Sequence, residues 1–173
     1  PDRKAAQSDF HHLVKYVIEE LRYIYAGVLA DTPITMEVWE ISGSEETQHT
    51  LTPLLPVWEE GSVKDYGDIP CNLGGGPLTI HCKYGNILKN PSNAIYYKCN
   101  MESSGVELRI NGRAIEHGMF DRVWGEAIHP SQNRFLVQVD LISDNPAALP
   151  ATKNTKTSFC EADPRLKNLL SWI

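Results

Sequence analysis

Most residues able to do chemistry lack the spacing that a recognised reaction needs. Gly74-Gly75-Gly76 is glycine-rich enough to cradle a phosphate. A cradle also needs a helix N-terminus behind the glycines to supply free N–H groups, and here Pro77 opens an apolar strand. With no G-x-x-x-x-G-K-[ST] or G-x-G-x-x-G run, the triplet reads as a turn. His11, His12, His49, His117 and His129 lack the H-E-x-x-H spacing that puts two imidazoles on one helix face. His81 precedes Cys82 directly, and neighbours on a strand point to opposite faces. Spacing therefore names no metal ligand. Glu45 and Glu46 sit in a polar turn, and Asp68-Ile69-Pro70 with Glu107-Leu108-Arg109 is a poor match to a metal-dependent nuclease core. No G-x-S-x-G nucleophile turn occurs. Cys71, Cys82, Cys99 and Cys160 form no C-x-x-C, and no secretory signal accompanies them, so reduced thiols in an intracellular protein are expected. One stretch differs. Lys153 and Lys156 stand among threonines and asparagine in ATKNTKTSF (151–159), between a strand and a helix. They are either incidental charge on a solvated loop or ammonium groups presented to a phosphate held by another domain.

The elements that must position these residues follow from apolar periodicity. Over 8–29, apolar residues at Phe10, Leu13, Val14, Val17, Ile18, Leu21, Ile24, Tyr25 and Val28 predict a helix capped by Ser8 and broken before Pro33. Strands are expected at 34–41, 77–84, 94–99, 106–110 and 135–142, with 51–58 an edge strand at best because of its prolines. Residues 59–70 read as a polar loop, and the aromatic segment 118–126 as a cover for the sheet. Asn111-Gly112 carries the type I′ hairpin signal. Leu166, Leu169, Leu170 and Ile173 give a closing helix with Asp163 as N-cap and Pro164 at the first helical position. The sum is an α+β chain with a mixed or antiparallel sheet and helices on one face.

Bulk properties exclude more than they name. The 173 residues suit one domain, and 42% hydrophobic with 22% charged residues is a globular composition. No apolar run approaches the roughly 20 residues of a membrane helix. Sixteen Lys and Arg against 22 Asp and Glu give a net charge of −6, which disfavours a dedicated nucleic-acid binder. An opening at Pro1 and a close on the apolar face of a helix suggest a piece of a longer protein.

The order VELRINGRAIEHG (106–118), FLVQVDLISD (135–144), ALPATKNTKTSF (148–159) and a closing helix resembles the second, transducer domain of GHKL ATPases. This superfamily includes DNA gyrase B, MutL, the ninety-kilodalton heat-shock chaperone and the MORC proteins. The MORC-like pattern is closest: a strand ending in NGR, a strand carrying V-D, a Pro-Thr-x-N-K-x-x-F-like loop and a helix. Asn154-Thr155-Lys156 is similar to the Gln-Thr-Lys loop of gyrase-like members. The resemblance covers 106–173, and it implies a ribosomal-protein-S5-like fold with a left-handed βαβ crossover. Residues 1–33 would be a connector helix and 34–173 the transducer domain.

In that family the loop lysine touches the γ-phosphate across the domain boundary. The resemblance thus implies Lys156 as nucleotide sensor, Lys153 as its alternate in register, and Asn154 and Thr155 as loop-shaping residues. The Asn-bearing helix, the D-x-G-x-G turn and the Gly-rich lid of the ATP-binding half are not in this sequence. ATP and Mg²⁺ would then belong to an N-terminal ATPase domain in cis. This chain would not be catalytic alone, and it would act in a homodimer, in the cytoplasm, nucleoid or nucleus, with DNA as a candidate substrate. Arg109, Arg113, Arg122, Arg134 and Lys153 are the basic residues available for DNA. The rival expectations are a non-catalytic interaction module and a fragment of a metal-dependent hydrolase.

Overall fold

The computed structural model describes residues 3–126 and 129–173, with side chains from Asp9 onward. Pro1, on which the reading of the chain's opening rests, and the side chain of Ser8 lie outside the described residues. Helix α1 (Arg3–Ile24) is followed after Tyr25 by a short α2 (Ala26–Asp31). Ser8 falls inside α1, so it is not the cap expected of it. The hairpin β1 (Glu37–Ser42) and β2 (Glu45–Thr50) forms a separate two-stranded sheet. The main sheet comprises β3 (Val57–Trp58), β4 (Lys64–Asn72), β5 (Pro77–Leu88), β6 (Gly105–Ile110), β7 (Arg113–Glu116) and β8 (Phe135–Ile142). Helix α3 (Phe120–Trp124) and a 3₁₀ turn (Pro130–Gln132) lie between β7 and β8, and α4 (Pro164–Trp172) closes the chain.

The architecture is α+β with a mixed sheet. β5 holds β8 along one edge, and β4 and β3 in succession along the other, all antiparallel. β8 runs parallel to β6 with Leu108 opposite Val139, and β7 pairs back on β6 at the edge. β6 and β8 are therefore parallel neighbours joined through β7 and α3.

Alternation along the central strands divides the core in two. Val106 and Leu108 of β6 and Val137, Val139 and Leu141 of β8 face Phe159, Leu166 and Leu169. The intervening Glu107, Arg109, Gln138 and Asp140 therefore face the other way. There Tyr23 of α1 packs with Tyr96, Tyr97 and Leu136. Helices thus flank both faces, rather than one as expected. The reason is that β6 and β8 carry polar residues on their second face, which α1 and the tyrosines must shield.

Two expected elements change. Residues 94–99 do not form a strand: Tyr97 and Cys99 have φ of 54° and 56°. The N–H groups of Ala94, Ile95 and Tyr96 go to the Glu19 carboxylate instead of a ladder. Conversely, the polar segment expected as a loop contains most of β4. An edge strand with much of its surface in water needs little apolar content, and Asp65 caps its bulge by accepting the Gly67 N–H at 2.9 Å. β2 (EETQHT) escapes detection for the same reason.

The glycine triplet forms the β4–β5 turn, where Asn72 Oδ1 accepts the N–H groups of Gly74 and Gly76. A Cβ on Gly75 would stand 2.0 Å from the Ala147 carbonyl oxygen, so the glycine serves close packing. The Asn111-Gly112 turn has φ of 49° and 78°, as a type I′ hairpin requires.

Candidate functional site

The lysine loop is an excursion fastened at both of its ends. Thr152 bridges Phe159 in antiparallel fashion, and Phe159 is fully buried, which roots the return limb in the core. Lys153 N–H donates to Ser158 O at 2.8 Å, and Lys156 N–H donates to Lys153 O at 2.8 Å, closing a tight turn. Lys156 itself has φ of 59°, the left-handed region, and residues 153–157 are exposed at the tip. The base is held by Asp163. Its Oδ2 accepts the Ala151 N–H at 2.7 Å while Oδ1 caps α4 through the Arg165 N–H at 2.8 Å. One carboxylate therefore sets both the loop and the helix that follows it.

The Arg165 guanidinium and two backbone N–H groups hold the Asp163 carboxyl down at about 2. A depressed carboxyl stabilises the fold fully above the ordinary carboxylate range, near pH 4, and that contribution fades as the pH falls towards 2. Asp163→Ala is expected to cost about 1–2 kcal/mol at pH 7, the usual worth of a helix cap with a further bond. Urea melts across pH should show the gap to wild type closing below about pH 4. A gap that does not narrow would mean that the carboxylate's charge is not what holds the loop base.

Beside this loop lies a cleft of about 420 Å³ whose walls include Ile110, Arg113, Ile115, Leu149, Lys156 and Arg165. Sequence reasoning did not connect Arg113 or Arg165 with Lys156. The connection was legible only as NGR and V-D: Asp140 Oδ2 accepts the Gly112 N–H at 2.8 Å, which ties the NGR turn to β8. Burial raises the Asp140 carboxyl to about 6, against the lowering effect of that bond and of Arg109.

On the opposite face sits a buried ionic network. Glu107 accepts from Arg109 Nε at 2.7 Å, Gln138 Nε2 at 2.8 Å, Tyr97 OH at 2.9 Å and Tyr23 OH at 3.0 Å. Burial opposes the charge on Glu107, but Arg109 and these donors outweigh it and keep the carboxyl below its usual range. Burial and the Glu107 charge raise both tyrosine hydroxyls, which stay protonated donors. Every polar position on Glu107 is used, and none is open to a ligand.

The remaining candidates take structural places. His81 lies between Asp65 and Asp68, His11 and His49 contact Glu40, and His117 packs edge-on against Tyr23 and Tyr96. His129 caps the 3₁₀ turn. All four cysteines are unpaired. Among the described residues no group of three or more His, Cys, Asp or Glu converges as metal ligands would. No described helix is long and apolar enough to cross a membrane. The basic residues available for DNA do not make one open face. Arg109 is buried on Glu107, Arg122 pairs with Glu116 at 3.0 Å and Arg134 with Glu59 at 2.7 Å. Arg113 alone of those four arginines has no carboxylate partner among the described residues.

Compared with known proteins, the chain matches no protein-family model and no curated protein.

Proposed function

We propose that the chain is the transducer domain of a GHKL-type ATPase, coupling ATP bound with Mg²⁺ by a neighbouring N-terminal domain to a conformational change. The observation that carries this is Lys156: an exposed ammonium at the tip of a turn whose root is buried and capped, beside a cleft with a second unpaired cation. Such a loop presents a point charge to a phosphate from outside while its base stays rigid. The terminal phosphate of ATP fits this donor set, and the nucleotide supplies the hydrolysable bond; Lys156 would contribute charge and position only. Asn154 and Thr155 complete the turn, and Lys153 stands nearer its root, where its N–H donates to Ser158 O and its carbonyl accepts the Lys156 N–H.

Movement of the loop would pass through Asp163 to α4 and through residues 143–150 to β8, altering the angle between domains. The parallel β6–β8 pair joined through α3 supports the ribosomal-protein-S5-like arrangement, for which we propose the left-handed crossover that about 98% of such connections avoid. A homodimer of the full-length protein and an intracellular setting belong to the same proposal. DNA as the substrate of the cycle draws no support from the paired arginines.

In the full-length protein Lys156→Ala is expected to cut ATP turnover at least about tenfold, or about 1.4 kcal/mol of barrier. The melting temperature should not move, since the side chain is exposed and bonds nothing among the described residues. Unchanged turnover would overturn the sensor role. The second reading, an interaction module, is favoured by exposed apolar side chains on α1 (Leu13, Val17) and β1 (Trp39, Ile41). It would be left standing if no ATPase domain accompanies the chain in the full protein.

A further inference from the structure

We infer that the cleft beside the Lys156 loop is a phosphate site in which Arg113 is a second direct contact. The inference rests on the transducer reading only for the source of the phosphate, the terminal group of a nucleoside triphosphate held next door.

Arg113 is placed with little freedom. It is the first residue of β7, directly after the Asn111-Gly112 turn. That turn is locked from both sides: Gly112 N–H donates to Asp140, and Gly112 O accepts the Gly27 N–H at 3.1 Å. A Cβ on Gly27 would meet Gly112 Cα at 2.5 Å, so the start of α2 is pressed onto the turn. The Arg113 guanidinium lies over the Tyr25 ring, 5.8 Å from its centroid. Stacking supplies no acceptor, and Arg113 Nε is enclosed without a hydrogen-bond partner among the described residues. The Nη groups of the same guanidinium also hydrogen-bond nothing among the described residues, and they are the donors open to an oxyanion in the cleft that Arg113 lines.

The charge balance of the cleft points the same way. Of its three lining cations, Arg165 is committed, with Nε and Nη2 on Asp163 and Nη1 on the Ala147 carbonyl. Arg113 and Lys156 are not, and no carboxylate is among the lining residues. Ile110, Ile115 and Leu149 make the rest of the wall apolar, which strengthens attraction for an anion by excluding water. Two uncompensated charges, one a planar fork and one a point charge, match a phosphate dianion better than a single carboxylate.

The test titrates the 173-residue chain with inorganic pyrophosphate by calorimetry or amide NMR. Wild type should bind saturably, with shifts confined to the β6–β7 turn and residues 146–156. Arg113→Gln and Lys156→Ala should each weaken binding about tenfold or more. Arg113→Lys should restore only part of the loss, because it returns the charge without the fork. Arg122→Gln, which lies outside the cleft, should change nothing. Equal affinity in Arg113→Gln and wild type, or no saturable binding by wild type, would overturn the inference. Turnover assays of the full-length protein separate it from the reading beneath it. Binding and turnover both lost in Lys156→Ala but both intact in Arg113→Gln removes Arg113 and keeps the sensor. Pyrophosphate binding lost in both variants with turnover intact in both keeps the site and removes the sensor.

Discussion

Glu107→Ala is expected to remove about 3–5 kcal/mol of folding free energy, a large part of the 5–15 kcal/mol typical of a single domain. The cause is the guanidinium left behind. Arg109 is 4% exposed, its Nε donates to Glu107, and its Nη2 reaches only the Tyr97 hydroxyl, at 3.2 Å. Without the carboxylate, a buried charge loses the partner that its Nε bonds and keeps only the more distant Asp140, and the Tyr23, Tyr97 and Gln138 donors lose their acceptor as well. The pair is not thereby a net source of stability, because taking two charges out of water costs nearly as much as their attraction returns. Glu107→Leu with Arg109→Met should therefore be milder than the sum of the single changes, by about 2 kcal/mol or more. Urea melts of the four proteins form the cycle. A loss below about 1 kcal/mol in Glu107→Ala would show that water reaches Arg109 and that the network is not a buried one.

Glu19→Ala is expected to cost about 3 kcal/mol, and to act at a distance from its own helix. Glu19 is 5% exposed and its carboxylate accepts the N–H groups of Ala94 at 2.6 Å, Ile95 at 2.7 Å and Tyr96 at 3.1 Å. Three consecutive backbone donors would lose their acceptor, in a segment that has no strand ladder to supply another. Hydrogen exchange at those three amides should accelerate by far more than at the centre of β8. Glu19→Gln keeps one accepting oxygen and should cost less. Uniform acceleration across the sheet would mean that Glu19 contributes to global stability only, rather than holding residues 94–96. This side chain, with Tyr23 on Glu107 one turn later, fixes the C-terminal half of α1 to the sheet. In the proposed mechanism α1 is the connector from the ATPase domain, so its attachment would carry motion into the sheet.

Where local signals were strong, the chain followed them. Phe135–Ile142 is a strand over its full expected length because β-branched and leucine residues alternate with polar ones. Asp163-Pro164 opens the last helix because a capping carboxylate followed by a fixed φ leaves few alternatives. Asn111-Gly112 makes its hairpin because both residues tolerate positive φ. The glycine triplet was legible as a turn from the missing helix behind it.

Where local signals were weak or misleading, tertiary contacts decided. Residues 94–99 carry strand-forming tyrosines, yet Glu19 takes the N–H groups a ladder would need and the rings pack on Tyr23 instead. β4 carries the wrong composition for a buried strand, yet the free edge of β5 recruits it. The site divides in the same way. Lys156 was visible in the sequence as a lysine in a polar loop before a helix. Arg113 was visible only as one basic residue among several, because nothing local states that β6–β7 and the loop of residues 146–156 will share a cleft. By itself the sequence determined the turns, the caps and the strands whose period is written in a few adjacent residues. Which arginines are neutralised and which stay free depends on carboxylates tens of residues away, as Arg134 on Glu59 and Arg122 on Glu116 illustrate, and only the packed sheet brings those charges together.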